Sequence, residues 1–347
     1  MLEGSHDLLK LPPAHLLPQW RQNPITGQWV VIAPERGTRP VEKVQELHFP
    51  PIYESCPFCA GQEQQTPPEV FAIRETGTQP NLPGWRVRVV PNRYPALRAL
   101  ELQAEQVAPA VRFGFGKHEL IIESPHHESN LANLQPDHVS DIIISWRERL
   151  KALSLDERFK YGHVFKNHGS AAGASVVHTH SQLIAIPFVP PILQQELDSG
   201  LAHHTREGRC VFCDLIRSEV ECGERVVLET PRYVAMVAYA GRQPYETWIL
   251  PRQHQCRMHT IDDDEASELG TVLWILLGKL SRVIDPLAYN VMLHTAPFHQ
   301  GPLAHFHWHF EILPRTAQVA GFEWGTGLYI NTMRPEDAAD RLRRTGD

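Results

Sequence analysis

The sequence predicts an α+β protein built from two tandem copies of one unit, residues 1–187 and 188–347. Three observations carry this expectation. Each half holds a Cys-x-x-Cys pair, Cys56/Cys59 and Cys210/Cys213, ahead of its helical stretch. Each half then runs through a long helical pattern into an apolar segment bearing alternate histidines. The spacing also recurs: His127 and His178 lie 51 positions apart, as do His254 and His305. Self-similarity of this kind marks one supersecondary unit used twice.

Taken in order, residues 1–27 are Pro-rich and irregular, and Gln28–Ala33 is a strand by its β-branched content. The turn after it carries Arg36 and Arg39, which on composition alone read as a solvated loop. Beyond the first Cys pair, Arg86–Val90 is a strand and Pro91-Asn92-Arg93-Tyr94-Pro95 a turn. Lys117–Glu123 alternates as a strand and ends at Ser124-Pro125-His126-His127. Pro136 suits the first turn of a helix. Val139, Ile142, Ile143, Trp146, Leu150 and Leu153 then repeat with helical period, so Pro136–Leu153 is a helix with a core stripe. Gly162–Lys166 is the strand that feeds the key segment. In the second half a Pro-rich bend at Pro187–Pro191 precedes the second Cys pair. Strands follow near Val226–Leu228, Val234–Val237 and Thr247–Leu250. Asp262, Asp263 and Asp264 suit a helix N-terminus, and Leu269, Val272, Leu273, Leu276, Leu280 and Ile284 share one face of that helix. A strand ending at His294 and another over His305–His309 close the unit.

The segment that concentrates chemistry is Asn167–Pro187, NHGSAAGASVVHTHSQLIAIP. Its small residues can bring backbone N–H groups close to a phosphate. A strand through Val176 and Val177 would then place His178, His180 and Gln182 on one face. Of these His180 is the best nucleophile, because neutral imidazole attacks phosphorus readily and the phosphoramidate formed can pass the group on.

Composition narrows the setting. A net charge of −7 argues against a general nucleic-acid binder, while leaving room for a local phosphate site. Apolar runs such as Val272–Leu277 fall far short of the ~20 residues of a membrane span. Met1–Pro18 lacks the pattern of a signal peptide, so a cytoplasmic location is expected. Disulfides are disfavoured there, and neither Cys pair shows the βα context of a thioredoxin-type site. With 20 histidines to complete the shells, zinc is the expected metal.

The pattern Asn-x-Gly-x-x-Ala-Gly-x-Ser-x-x-His-x-His-x-Gln over Asn167–Gln182 resembles the active-site signature of the galactose-1-phosphate uridylyltransferase family. That family is the transferase branch of the histidine-triad superfamily, and the resemblance extends over nearly the whole chain. It implies two histidine-triad-like units, each an antiparallel sheet with a packed helix, and a homodimer. It also implies that UMP passes from UDP-glucose to galactose 1-phosphate through a covalent nucleotidyl-histidine at His180. Gln182 would donate to a phosphoryl oxygen; hydrolases of the superfamily usually carry a proton-exchanging histidine there, so glutamine favours a transferase. Arg36, Arg39, Asn92, Asn167, Gly173, Ser175 and Glu323 match positions lining the sugar-nucleotide site.

The same resemblance implies a first zinc site of Cys56, Cys59, His127 and His178, a closed shell that would fix the strand bearing His180. A second has Cys210, Cys213 and His254. Repeat spacing alone points to His305 as its fourth ligand. Likeness to the ADP-glucose phosphorylase relative, through Gly321–Gly327, points to His307. Some uridylyltransferases instead bind iron through a Glu and three His, and Glu196, His294, His307 and His309 stand at the matching places, so the two assignments compete for His307. Trp324–Asn331 also looks more like the ADP-glucose enzyme, which leaves an adenylyl reaction as the alternative. A non-catalytic, zinc-stabilised nucleotide-binding protein is the other, argued against by the presence of both His180 and Gln182.

Overall fold

A computed structural model describes residues 17–38, 56–99, 114–128 and 130–346. In chain order the first half contributes strands β1 (Gln19–Gln22), β2 (Trp29–Ile32), β3 (Phe71–Arg74), β4 (Trp85–Pro91) and β5 (Lys117–Ile122). Helix α1 (Pro136–Leu153) and strands β6 (Tyr161–His168) and β7 (His180–Ile186) complete it. The second half runs α2 (Pro191–Glu207), α3 (Val211–Cys222), β8 (Val226–Glu229), β9 (Tyr233–Val237) and β10 (Thr247–Pro251). It continues with α4 (Asp263–Val283), β11 (Tyr289–His294), β12 (His309–Pro314), α5 (Gly321–Thr326), β13 (Tyr329–Asn331) and α6 (Pro335–Arg344).

Ten strands form one sheet in the order β3-β4-β5-β7-β6-β11-β12-β10-β9-β8. Every pairing in it is antiparallel. The order reads the same from either end: β3, β4, β5, β7 and β6 correspond to β8, β9, β10, β12 and β11. The repeat is therefore real, and the two half-sheets join edge to edge where β6 pairs with β11. Fusing the halves removes one free edge from each. A separate small sheet holds β1, β2 and β13, with β13 parallel to β2.

Alternation along the strands divides the core into two layers. Val87, Val89, Ile121, Leu183 and Ala235 face α1 and α4 in one large apolar cluster. Leu250 and Val234 face the other way, against Phe212 and Leu197 of α3 and α2, and Val90 and Ile122 meet Phe58. Each fully buried aliphatic side chain contributes roughly 1.5–3 kcal/mol. Helices α1 and α4 touch at Gly270, where a Cβ would sit 2.6 Å from the Ser140 backbone, so glycine sets their close approach. Helix α4 starts in a capping box: Glu265 N–H donates to Asp262 Oδ1 at 2.7 Å, and Asp262 N–H donates to Glu265 Oε2 at 2.8 Å.

Helix α1 occupies the expected Pro136–Leu153. Other expectations need correction. The Pro-rich bend at 187–191 leads straight into α2, because Pro191 sits at the helix start, where its missing N–H costs nothing. Cys210 is the N-cap of α3, so the second Cys pair does open a helix. Chain 1–27 is not wholly irregular, since β1 lies within it. Strand β12 begins at His309 rather than His305, and β7 begins at His180 rather than Val176.

Candidate active site and metal centres

Four side chains from separate parts of the first half converge beside β7. The ligand atoms of Cys56, Cys59, His127 and His178 all lie within 4.8 Å of one another. Sulfur-to-nitrogen separations are 3.5 Å for Cys56–His178 and Cys59–His127, and 3.6 Å for Cys59–His178. A tetrahedral zinc with ordinary bonds sets its sulfur and nitrogen ligands about 3.6 Å apart. His178 Nε2–H donates to the Ser124 carbonyl at 2.8 Å, which leaves Nδ1 free for a metal. Burial pushes the His178 pKa down to about 4, so the ring is neutral, as ligation requires. The cluster takes His127 and not His126.

The second half repeats the arrangement with Cys210, Cys213, His254 and His307. Cys213 Sγ lies 3.4 Å from His254 Nδ1 and 3.6 Å from His307 Nδ1. Carbonyls again hold the far ring nitrogens, Leu303 O for His254 at 3.0 Å and Pro251 O for His307 at 2.9 Å. With both nitrogens engaged, His307 belongs to the cysteine set. His305, favoured by spacing, is outside it. Glu196, His294 and His309 gather instead with Glu311, all four buried. The Glu-and-three-His quartet is thus not assembled. Positive charge in that cluster comes from Arg242, 2.5 Å from Glu311, and from His294, whose pKa Glu196 and Glu311 raise to about 9 although burial opposes it.

His178 stands outside the strand, beside the cysteines, and its ring and that of His180 both pack on Phe58, with centroids 5.9 and 5.4 Å away. Thr179 marks the changeover: its N–H donates to Glu128 O, and Glu123 N–H donates to Thr179 O. His180 and Gln182 do share a face, and with Asn92, Ser175 and Phe58 they line a cavity of about 450 Å³. His180 Nδ1–H donates to the His178 carbonyl at 2.8 Å. Its Nε2 is thereby the nitrogen left with a lone pair, and burial lowers the ring pKa further below its ordinary value. Phe58, between the two cysteines, packs on this ring with centroids 5.4 Å apart. A metal at the cysteines would therefore hold the wall of the cavity as well as the segment before β7.

Asn167 lies on β6, where its Oδ1 accepts from Asn290 Nδ2 at 2.8 Å. The turn between β6 and His178 contains Gly169 at φ +81 and Gly173 at φ +83; a Cβ at Gly169 would also meet Ala288 at 2.8 Å. Ser175 is exposed at the end of this turn, on the cavity wall. Arg36 is in the short 3-10 turn after β2, and Glu323 is in α5, which leads into β13, the partner of β2. Neither lines the His180 cavity; both belong to the small-sheet end of the molecule. Arg39 falls outside the described residues. A larger groove of about 710 Å³ lies between α1 and the start of α4, lined by Arg147, Lys151, His259, Asp263 and neighbours, and none of the expected site residues lines it.

The second half shows what its counterpart of the site has become. Phe212 packs on His309 at 5.1 Å as Phe58 does on His180, and Glu311 stands where Gln182 does. Glu311 is bound to Arg242 at 2.5 Å, and His294 to Glu196 at 2.8 Å, so that place is filled by ion pairs. Sequence reasoning missed this, and also Lys166, His118 and Glu123, which touch the His180 strand. Lys166 and Glu123 did carry a signal: each is a charged residue directly after an apolar pair, Val164-Phe165 and Ile121-Ile122.

Models of the galactose-1-phosphate uridyl transferase N-terminal and C-terminal domains match residues 12–190 and 196–347. The chain belongs to this family. Among curated members it is 37% identical to the ADP-glucose phosphorylase of Arabidopsis thaliana, across 94% of this chain and 92% of that one. It is 28% identical to the galactose-1-phosphate uridylyltransferase of Thermotoga maritima, across 94% and 98%. A crystal structure of the Arabidopsis ADP-glucose phosphorylase with bound ADP-glucose superposes with a TM-score of 0.83 at 35% identity, covering 95% of this chain and all of that one. A uridylyltransferase structure gives 0.73 at 26% identity, covering 94% and 98%.

Proposed function

We propose that this protein is a nucleotidyltransferase that moves a nucleoside monophosphate from a sugar nucleotide through a covalent intermediate on His180. The observation that carries this is the hydrogen bond from His180 Nδ1–H to the His178 carbonyl, which leaves Nε2 as a nucleophile facing a cavity shared with Gln182. Nε2 attacks the α-phosphorus, the bond to the bridging oxygen breaks, and sugar 1-phosphate leaves with that oxygen's electron pair. An acceptor phosphate oxygen then attacks the phosphoramidate, the P–N bond breaks, and its electrons return to Nε2. Gln182, Ser175 and Asn92 lie where they can donate to the phosphates and nucleoside. Sugar 1-phosphate is a good leaving group, so no strong proton donor is needed.

Two zinc ions, one in each Cys₂His₂ set, fit the donor atoms and their spacing; bound there, they would hold the chain on either side of each His-x-His. The units 1–187 and 188–347 act as one catalytic half and one structural half. Arg36 and Glu323, remote from the cavity, support a homodimer in which a second copy brings them to it. Among the described residues no helix is long and apolar enough to cross a membrane.

Two donor–acceptor pairs fit this reaction. UDP-glucose with galactose 1-phosphate rests on the family's whole-chain match. ADP-glucose with phosphate rests on the higher identity, 37% against 28%, and on the resemblance of Gly321–Gly327 and Trp324–Asn331 to that enzyme. Comparing kcat/KM for the two pairs tests them. A tenfold preference, about 1.4 kcal/mol in transition-state binding, decides the nucleotide, and turnover of neither pair would defeat the transferase reading.

A further inference from the structure

Gln182 can present either end of its amide to the cavity. The NH₂ end would donate to a phosphoryl oxygen, whereas the carbonyl end would repel it. The choice is made by its neighbour on β5. Leu120 pairs with Gln182 across the β5–β7 ladder, so His118, two residues away, is a diagonal neighbour on the same face. His118 is buried, and its Nε2 lies 2.8 Å from Gln182 Oε1.

The far side of the ring fixes its tautomer. The backbone N–H of Ala96 donates to His118 Nδ1 at 3.2 Å. A backbone amide nitrogen can only donate, so Nδ1 is the bare nitrogen and a neutral ring carries its proton on Nε2. Asn92 does not decide between the two ring nitrogens. Its Oδ1 accepts from Tyr94 N–H at 2.9 Å, which turns its NH₂ toward the imidazole, 3.4 Å from Nδ1 and 3.2 Å from Nε2. Burial, only partly opposed by the bond to Gln182, favours the neutral ring. The Nε2–H then needs an acceptor, and Gln182 Oε1 is in place.

We propose that His118 is a positioning residue whose Nε2–H holds the Gln182 carbonyl back against β5, so that the amide NH₂ faces the transferring phosphoryl group. The direction runs one way, from the Ala96 amide through the imidazole to Gln182. This role rests on the nucleotidyl-transfer reading above, although the tautomer itself does not.

Two measurements separate those dependencies. In the ¹⁵N spectrum of histidine-labelled protein at pH 7, the signals lost in His118→Phe should belong to an Nε2–H tautomer. An Nδ1–H tautomer or an imidazolium overturns the proposal, whatever the protein's activity. The second is a kinetic cycle of His118→Phe, Gln182→Ala and the double variant, with metal content checked throughout. His118→Phe should lower kcat on the order of tenfold with little change in donor KM. In the Gln182→Ala background the same substitution should cost nothing more, and additive losses would overturn the proposal. His118→Gln, which keeps a donor near the Nε2 position, should recover most of kcat and serves if His118→Phe does not fold; recovery no better than with Phe contradicts the role. A wild-type protein that turns over neither sugar nucleotide defeats the transferase reading and leaves the spectrum as the test of His118.

Discussion

Lys166→Met removes a buried charge from directly behind the His180 strand. Lys166 Nζ is 2.5 Å from Glu123 Oε2, 2.8 Å from Thr179 Oγ1 and 3.1 Å from the His180 carbonyl, and Lys166 is only 1% exposed. Methionine fills nearly the same volume, so the loss is electrostatic rather than a cavity. Glu123, fully buried, keeps the Thr179 hydroxyl at 2.6 Å but loses its cation. Stranding one half of a buried ion pair costs about 3–5 kcal/mol. The variant can limit that loss by placing a proton on the stranded carboxyl. Holding a glutamic acid neutral costs about 4 kcal/mol at pH 7 but only about 1 kcal/mol at pH 5, from its ordinary acidity. The sign follows: the folded variant binds a proton that its unfolded chain releases, so its stability falls as pH rises above ~4.3. Melting temperatures of wild type, Lys166→Met and Lys166→Met/Glu123→Gln, taken at pH 5 and pH 7 with saturating zinc, test this. The single variant should melt below wild type by a margin that widens from pH 5 to pH 7, and the double variant should recover much of it at pH 7. A deficit equal at both pH values, or no recovery in the double variant, would refute the reasoning.

The remaining expectations concern the metals and the small sheet. Cys56→Ser should lose one of two zinc ions per chain by metal analysis, lower the melting temperature and abolish turnover, since that cluster abuts His180 through Phe58. Cys213→Ser should also lose one zinc and melt earlier, yet retain measurable turnover, because its cluster serves the half without the nucleophile. Burial raises the Glu336 pKa, but bonds from Arg21 at 2.8 and 3.0 Å and from Arg225 at 2.8 Å outweigh it and hold the carboxyl at about 2. That stabilisation is present above the unfolded value of ~4.3 and is lost as pH falls toward 2. Glu336→Gln should therefore cost about 2 kcal/mol at pH 7, allowing for solvent screening. The gap in urea midpoints should close as pH falls below ~4; a gap that persists unchanged to pH 3 contradicts it.

The sequence announced the site where local spacing suffices. Two Cys-x-x-Cys pairs and His-x-His-x-Gln are short patterns, and the residues they name do meet in space. Helix α1 was legible to the residue because Pro136 and a regular apolar stripe agree. What escaped was set by tertiary contacts. Equal spacing of 51 pointed to His305, but the counterpart of His178 is His307, because the loop lengths of the two halves differ around the repeat. Strand alternation ran the strand back through Val176 and His178, whereas β7 begins at His180. Arg36, in the 3-10 turn after β2, and Glu323, in α5 before β13, stand next to the small sheet and not in the lining of the His180 cavity, a placement no local pattern shows. Lys166 and His118 act through partners more than ten residues away, Glu123 and Gln182, which no local window could pair.

The most direct test of the central claim is to incubate the protein with UDP-glucose or ADP-glucose labelled in the α-phosphate, without acceptor, and locate the label. A stable fraction of the chain should carry acid-labile, base-stable label on the peptide that contains His180, discharged on addition of hexose 1-phosphate or phosphate and absent in His180→Asn. Label that survives in His180→Asn, or that maps to any other residue, would contradict it.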